Sequence, residues 1–228
     1  MTKCMDCSHV FVKNPKSDTS SGFNPNVDIH KPKPRHFQIY SFIKNYSIQK
    51  KTITVAEIGS GYGQLGKILQ QDDAIDYIGF EPSPERAEFA SSNGVTVIND
   101  LSAENSDQYD VVVLDNVLEH VLEPAVLMGV VSRSLKKGGA AIIIVPNRFD
   151  LRRFIPKWRK RHYWQPDCHI SMFAYSDIAR ICKDVGLSIN SFDLKTLGKK
   201  AGIFMHFKTV FDLLGFHVGG LYIYATKK

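Results

Sequence analysis

From Thr52 onward the chain alternates between short apolar runs and longer stretches of mixed polarity. The runs are TITVAEI (52–58), DYIGFE (76–81), GVTVI (94–98), YDVVVLD (109–115) and AAIIIVP (140–146). They are nearly continuous in apolar and β-branched residues, the pattern of strands covered on both faces. Between them, residues 62–71, 83–92 and 123–136 read as helices. Ser83 ahead of Pro84 reads as an N-cap followed by proline at the first helical position. KKGG at 136–139 reads as a basic last turn with a glycine stop. Strands alternating with helices predict a doubly wound α/β fold around a mostly parallel sheet.

The flanks differ. Residues 1–32 are polar and turn-rich, which predicts an irregular, weakly anchored arm ahead of a domain spanning 33–228. In RHFQIYSFIKNY (35–46), Phe37, Tyr40, Ile43 and Tyr46 fall at helical spacing and predict a lead-in helix. After Pro146 a basic and aromatic segment, about 147–174, reads as an insertion. A helix over 175–186, capped by Ser176 and stopped at Gly186, is followed by the alternating run LSINSFDL. A helix-like piece over 202–215 precedes a terminal strand, GLYIYATKK.

Composition narrows the class. With 228 residues, 43% hydrophobic and 23% charged, the chain can bury an ordinary globular core. No apolar run approaches the ~20 residues of a membrane span, and the first residues lack a signal-peptide core. Four cysteines in a chain of this length do not make a disulfide framework, so a reduced, cytoplasmic protein is expected. The net charge of +6 is concentrated in RFDLRRFIPKWRKR (148–161), which holds seven Lys/Arg against one acid; the rest of the chain balances. Such a patch indicates either an anionic partner or a solvated face.

The chemistry centres on TVAEIGSGYGQLGKIL (54–69). Gly61, Gly63 and Gly66 fit the dinucleotide fingerprint G-x-G-x-x-G. Glu57, Gly59, Gly61 and Gly63 fit E-x-G-x-G-x-G, the pattern of S-adenosylmethionine-dependent methyltransferases. Glu81, at the end of the second strand, suits the ribose hydroxyls of either ligand. Glu57 discriminates better. A carboxylate beside this turn repels the pyrophosphate of NAD but suits a ligand carrying an ammonium and a sulfonium, unless it is used to pair with a lysine or a backbone amide.

With YIGFEPSPERAEFA, VINDLS, YDVVVLDNVLEHVLEP, LKKGGAAIIIVPN and HISMFAYSDIARICKDVGL following in order, the chain from about Arg35 onward resembles the class I S-adenosylmethionine-dependent methyltransferases, in particular the quinone and nucleotide-sugar methyltransferase group. The resemblance implies a seven-stranded Rossmann-like sheet with an antiparallel last strand, and S-adenosylmethionine as cofactor. It further implies that Glu57, Gly59, Gly61 and Gly63 line the methionine end and the ribose approach, and that Glu81 holds the ribose. Asp100 and Leu101 would meet the adenine, and Asp115 and Asn116 would close over the methionine part. Helix capping is the competing role for Asp100 and Asp115.

His120, in LEHV, and His169, in PDCHISMF, are the candidate bases for an acceptor proton. A structural hydrogen bond is the alternative for His120, and a backbone-carbonyl partner for His169. Quinone O-methyltransferases carry an acid four residues before this histidine that helps hold a divalent metal. Asn116 stands there instead, so no metal is expected at Asn116, Glu119 and His120. Cys4-x2-Cys7 resembles half of a zinc ribbon, and Cys168 and Cys182 stand alone, so no metal is expected from the cysteines either.

Trp158, Arg161, Tyr163 and Trp164 are the candidate substrate contacts, because aromatic rings stack on sugars and guanidinium groups fork onto phosphate. The acceptor expected is a small anionic or sugar-bearing molecule. Nucleic acid ranks below it because the patch is short, and a transient membrane-surface contact is a third option. A nicotinamide-dependent oxidoreductase and a non-catalytic module docking on a phosphate-bearing partner are the competing functions.

Overall fold

The computed structural model describes residues 1–15, 23–46, 50–100, 106–158, 168–191 and 219–228. Two short strands, β1 (Thr2–Lys3) and β2 (Val10–Phe11), precede helix α1 (Pro34–Tyr46). Then follow β3 (Ile53–Ile58), α2 (Gln64–Leu69), β4 (Ile75–Phe80), α3 (Pro84–Ser92), β5 (Val97–Ile98) and β6 (Tyr109–Asp115). A 3₁₀ turn at Leu118–His120 leads into α4 (Pro124–Ser134) and β7 (Leu135–Val145). A second 3₁₀ turn (Leu151–Phe154), a one-turn helix α5 (Pro156–Trp158), β8 (Ser171–Met172), α6 (Tyr175–Asp184), β9 (Leu187–Ser191) and β10 (Leu221–Lys227) complete the described elements. The helix-like piece at 202–215 lies outside them.

The main sheet has seven strands in the order β5-β4-β3-β6-β7-β10-β9. The pairs β4–β5, β3–β4, β3–β6 and β6–β7 are parallel, and β10 runs against both β7 and β9. This is the doubly wound, mostly parallel sheet expected, with its terminal strand reversed. Alternation along β6 shows how both faces become cores. Val111 and Val113 join Ile39 and Ile43 of α1 and Leu65 and Leu69 of α2 on one side. Val112 and Leu114 join Met128 and Val131 of α4 and Ile178 and Cys182 of α6 on the other. A strand buried on both faces has no polar positions to spare, which explains the unbroken apolar runs.

Two local expectations fail for identifiable reasons. KKGG does not end a helix. Helix α4 stops at Ser134, and the ladder jumps from Tyr109↔Leu135 to Val111↔Ala140, so residues 136–139 bulge out of strand β7. Lys136 is used there to reach the buried Asp110, 2.9 Å away. Ser176 does not cap α6. Ala174 holds the N-cap position, and the Asp177 carboxylate accepts its backbone N–H at 2.8 Å.

Residues 1–15, expected as irregular, form part of a small antiparallel sheet in the order β1-β2-β8. The Val12 N–H donates to the Ile170 carbonyl at 2.8 Å. The His9 ring lies 5.2 Å from that of Phe173, with Nδ1 3.3 Å from the Asp177 carboxylate. Among the described residues no helix is long and apolar enough to cross a membrane.

Leu114 is fully buried at the centre of the sheet. Leu114→Ala is expected to lower stability by about 2–5 kcal/mol in denaturant unfolding, while Val126→Ala, at a site 60% exposed, should stay within about 0.5 kcal/mol.

Candidate functional site

The parallel strands β3, β4 and β6 all end at one edge of the sheet, where an open α/β sheet leaves a crevice. The cleft there encloses about 890 Å³. Glu57, Gly59 and Gly61 line it from the β3–α2 turn, Glu81 from the end of β4, and Asp115 and Asn116 from the end of β6. His120 lines it from the 3₁₀ turn. Seven of the residues singled out in the sequence therefore share one wall.

Two glycines shape the turn. Gly59 has φ of +69°, and a Cβ there would meet Val117 Cγ2 at 2.6 Å. Gly61 has φ of +57°, with no atom within 4 Å of the Cβ position, so its backbone faces open cleft. Both dihedrals lie in the region that favours glycine. Gly63 instead packs against Ala90 and Val95 at the start of α2. Gly66, which completes the rival fingerprint, lies against the Tyr77 ring, where a Cβ would approach Cε1 to 2.5 Å. That glycine serves helix–sheet contact.

The Tyr77 hydroxyl donates to Glu57 Oε2 at 2.7 Å. Glu57 is buried, and burial pushes its carboxyl up to about 8; the Tyr77 bond works against this, and the nearby Asp115 and Glu81 add to it. Among the described residues the side chain pairs with neither a lysine nor a backbone amide. It is a neutral acid below about pH 8 that a cation entering the cleft would ionise. Glu81 is equally buried but held by backbone donors: Gly61 N–H to Oε2 at 2.8 Å and Ser83 N–H to Oε1 at 3.1 Å. Ser83 also caps α3 as predicted, accepting from Arg86 N–H at 3.4 Å.

Asp115 is bound by helix α1. Its Oδ2 accepts from Arg35 Nε at 2.6 Å and lies 3.4 Å from His36 Nε2. Burial raises its carboxyl, but the His36 and Arg35 partners outweigh this and hold it below the usual range. Asn116, with φ of +56°, donates from Nδ2 to Asp115 Oδ1 at 3.1 Å. Capping is not the use made of Asp115.

The His120 ring bonds through Nδ1 to the Cys168 carbonyl at 2.6 Å. A carbonyl only accepts, so Nδ1 carries the hydrogen and Nε2 is the basic nitrogen of the neutral ring. Burial lowers the affinity of this imidazole for a second proton, and the Cys168 carbonyl partly offsets the effect. His169 meets the His120 ring edge-on at 4.9 Å but does not itself line the cleft.

Asp100 is exposed, and its neighbour Asn99 is the one that lines the cleft. Leu101, Arg161, Tyr163 and Trp164 lie outside the described residues, as does the side chain of Trp158. Among the described residues of 148–161, two bases have internal duties. Arg148 donates to the Ser8 carbonyl, and Arg152 pairs with the fully buried Asp150 at 2.7 Å.

Several cleft residues escaped sequence reasoning: Lys33, Arg35 and His36 around the start of α1, and Arg86, whose guanidinium lies 5.5 Å from the Tyr62 ring. No spacing rule ties a polar pair at a helix start to a strand end 80 residues later. The only available signal was that Arg35 and His36 open the amphipathic lead-in helix.

A profile of methyltransferase domains matches residues 35–191, and the chain belongs to that family. No curated protein matches its sequence. Among solved structures it is similar to an S-adenosylmethionine-dependent methyltransferase from Archaeoglobus fulgidus, with 17% identity over 84% of this chain and 94% of that chain and a TM-score of 0.59. It is also similar to the plantazolicin methyltransferase BpumL in complex with SAH, with 16% identity over 85% and 84% of the chains and a TM-score of 0.60. The [4+2]-cyclase SpnF shares the fold too, at 13% identity over 89% and 85% of the chains and a TM-score of 0.57.

The Glu57 carboxyl yields a pH prediction. Its folded-state value of about 8 lies above its ordinary value of 4.5, so the folded protein holds a proton that the unfolded chain has lost between those limits. Stability falls as pH rises through that window and levels off above about 8, by at most ~1.4 kcal/mol per pH unit from this group. Glu57→Gln keeps an acceptor for Tyr77 and removes the titration. Relative to wild type its unfolding free energy is expected to gain steadily between pH 5 and pH 8. A constant difference across that range would show that Glu57 does not hold the proton.

Proposed function

We propose that the protein transfers a methyl group from S-adenosylmethionine to a small anionic or sugar-bearing acceptor. The reading rests on one observation above all. Glu57, Glu81 and Asp115, from three strand ends, meet around one cleft beside the open backbone of Gly61. Carboxyl groups at a nucleotide-binding turn suit a ligand bearing an ammonium and a sulfonium, which would ionise Glu57, and the ionised Asp115 opposes the pyrophosphate of a nicotinamide dinucleotide.

Family membership makes S-adenosylmethionine the cofactor, and when bound it supplies an electrophilic methyl carbon. The chain's own residues then bind and orient. Each Glu81 oxygen spends one lone pair on a backbone N–H and keeps another for a ribose hydroxyl. Glu57 and Asp115 would hold the ammonium, and Lys33 and Arg35 would supply positive charge for the ligand's carboxylate. His120 Nε2, on the cleft wall, takes the acceptor's proton. The basic and aromatic composition of 148–164 supports an anionic or sugar-bearing acceptor.

Isothermal titration should show binding of S-adenosylmethionine and S-adenosylhomocysteine but not of NAD, and Glu81→Ala should weaken that binding by about 10–100-fold, the loss of hydrogen bonds to a charged group. NAD binding in place of the sulfur ligands would overturn the reading. With an acceptor found from a panel of anionic and sugar-bearing compounds, His120→Gln is expected to lower kcat by about 10²–10⁴-fold at unchanged affinity for S-adenosylhomocysteine. A preference for neutral, non-sugar acceptors would remove the acceptor class while leaving methyl transfer intact.

A further inference from the structure

His120, Cys168 and His169 each offer one ligand atom, and these atoms all lie within 4.8 Å of one another. We propose that these three residues form a binding site for a transition-metal cation, with zinc as the expected ion. Two imidazoles and a thiolate are the donor set that borderline-soft cations prefer over magnesium or calcium.

Three features make the cluster a built site. The first is tautomer control. His120 Nδ1 donates to the Cys168 carbonyl at 2.6 Å, which leaves the ring's lone pair on Nε2. Metal-bound histidines are oriented by such a bond from their other nitrogen. The second is rigid backbone. Ile170 N–H donates to the Glu119 carbonyl at 2.8 Å, so two hydrogen bonds clip the segment carrying Cys168 and His169 onto the turn carrying His120. On its other side Ile170 accepts from Val12 of the N-terminal arm.

The third is charge. Glu119 is fully buried, its two carboxyl oxygens meet no hydrogen-bond partner among the described residues, and Oε1 lies 3.9 Å from His120 Nε2. A buried carboxylate is costly without a positive partner, and a cation beside His120 supplies one. This ligand set differs from one built on Asn116, Glu119 and His120, where the amide is a poor donor. It draws on Cys168, which has no metal-ligand spacing to another cysteine in the sequence.

Three protein ligands leave a fourth position for water or substrate, and His120 lies on the cleft wall. An acceptor hydroxyl or thiol coordinated there loses its proton more readily. In that form His120 holds the metal, and the acceptor proton passes from the coordinated group to solvent water in the cleft instead of to His120. This role in turnover rests on the methyl-transfer reading; metal binding itself does not.

The test uses the full chain without a polyhistidine tag, titrated with Co²⁺ and Zn²⁺. One equivalent of Co²⁺ should bind with a thiolate-to-cobalt charge-transfer band, and Zn²⁺ should displace it. Cys168→Ser should abolish the band, and both Cys168→Ser and His169→Asn should weaken Zn²⁺ binding by at least about 100-fold. The double variant Cys4→Ser/Cys7→Ser should keep both band and stoichiometry. Circular dichroism and S-adenosylhomocysteine binding establish that each variant is folded. A band that survives Cys168→Ser, a band lost only with Cys4 and Cys7, or a folded wild type that binds neither ion would overturn the site. If S-adenosylhomocysteine still binds in that last case, the methyl-transfer reading stands and only the metal proposal fails.

Discussion

The site depends on parallel strands stacked in register, so that β3, β4 and β6 end together. Glu57 pairs across the ladder with Gly79 and Val113, and Glu81 directly follows β4. Asp115 closes β6. Three buried carboxyl groups near one crevice would repel one another if all were ionised. The protein treats them differently: Glu57 is held by the Tyr77 hydroxyl, Glu81 by two backbone amides, and Asp115 by Arg35 and His36. One carboxyl stays protonated near neutrality while another is firmly ionised, an arrangement ready for a cationic ligand.

The same edge shows why the glycines are where they are. Gly59 brings the turn against Val117, Gly61 leaves its backbone open to the cleft, and Gly66 makes room for the ring that holds Glu57. Packing and chemistry are coupled through Tyr77: one ring fills the space over α2 and offers its hydroxyl to the acid at the site. The His120 side of the cleft is built from other parts. The 3₁₀ turn, the segment before β8 and Val12, the residue after β2, are joined by backbone bonds through Ile170. A fold that also serves a [4+2]-cyclase does not dictate its reaction.

Legibility followed range. Glu57, the glycines and Glu81 sit at strand ends separated by about one βα unit, where chain order and spatial order agree, and their pattern was readable. Arg35 and His36 bind Asp115 across 80 residues, and nothing local marks them. KKGG misled for the opposite reason. Its local chemistry suits a helix end, but Ala140 onward pairs with β6, and the four residues are bulged out of the ladder with Lys136 turned to Asp110. Tertiary pairing outweighs a weak end signal. Ser176 lost to Asp177 because capping depends on which residue starts the helix, a matter of one position.

The sequence by itself determined the layered architecture, and its resemblance to the class I methyltransferases implied the reversed last strand and the methyl donor. The architecture follows from hydrophobic periodicity, a local property of the chain, and the resemblance from motifs met in chain order. Only the tertiary structure decided who partners whom: Tyr77 with Glu57, helix α1 with Asp115, and Cys168 with His120 and His169. Such pairings arise when elements distant in sequence are packed by burial of their apolar faces. Burial is non-directional, so it leaves little trace in the spacing of the polar residues it brings together.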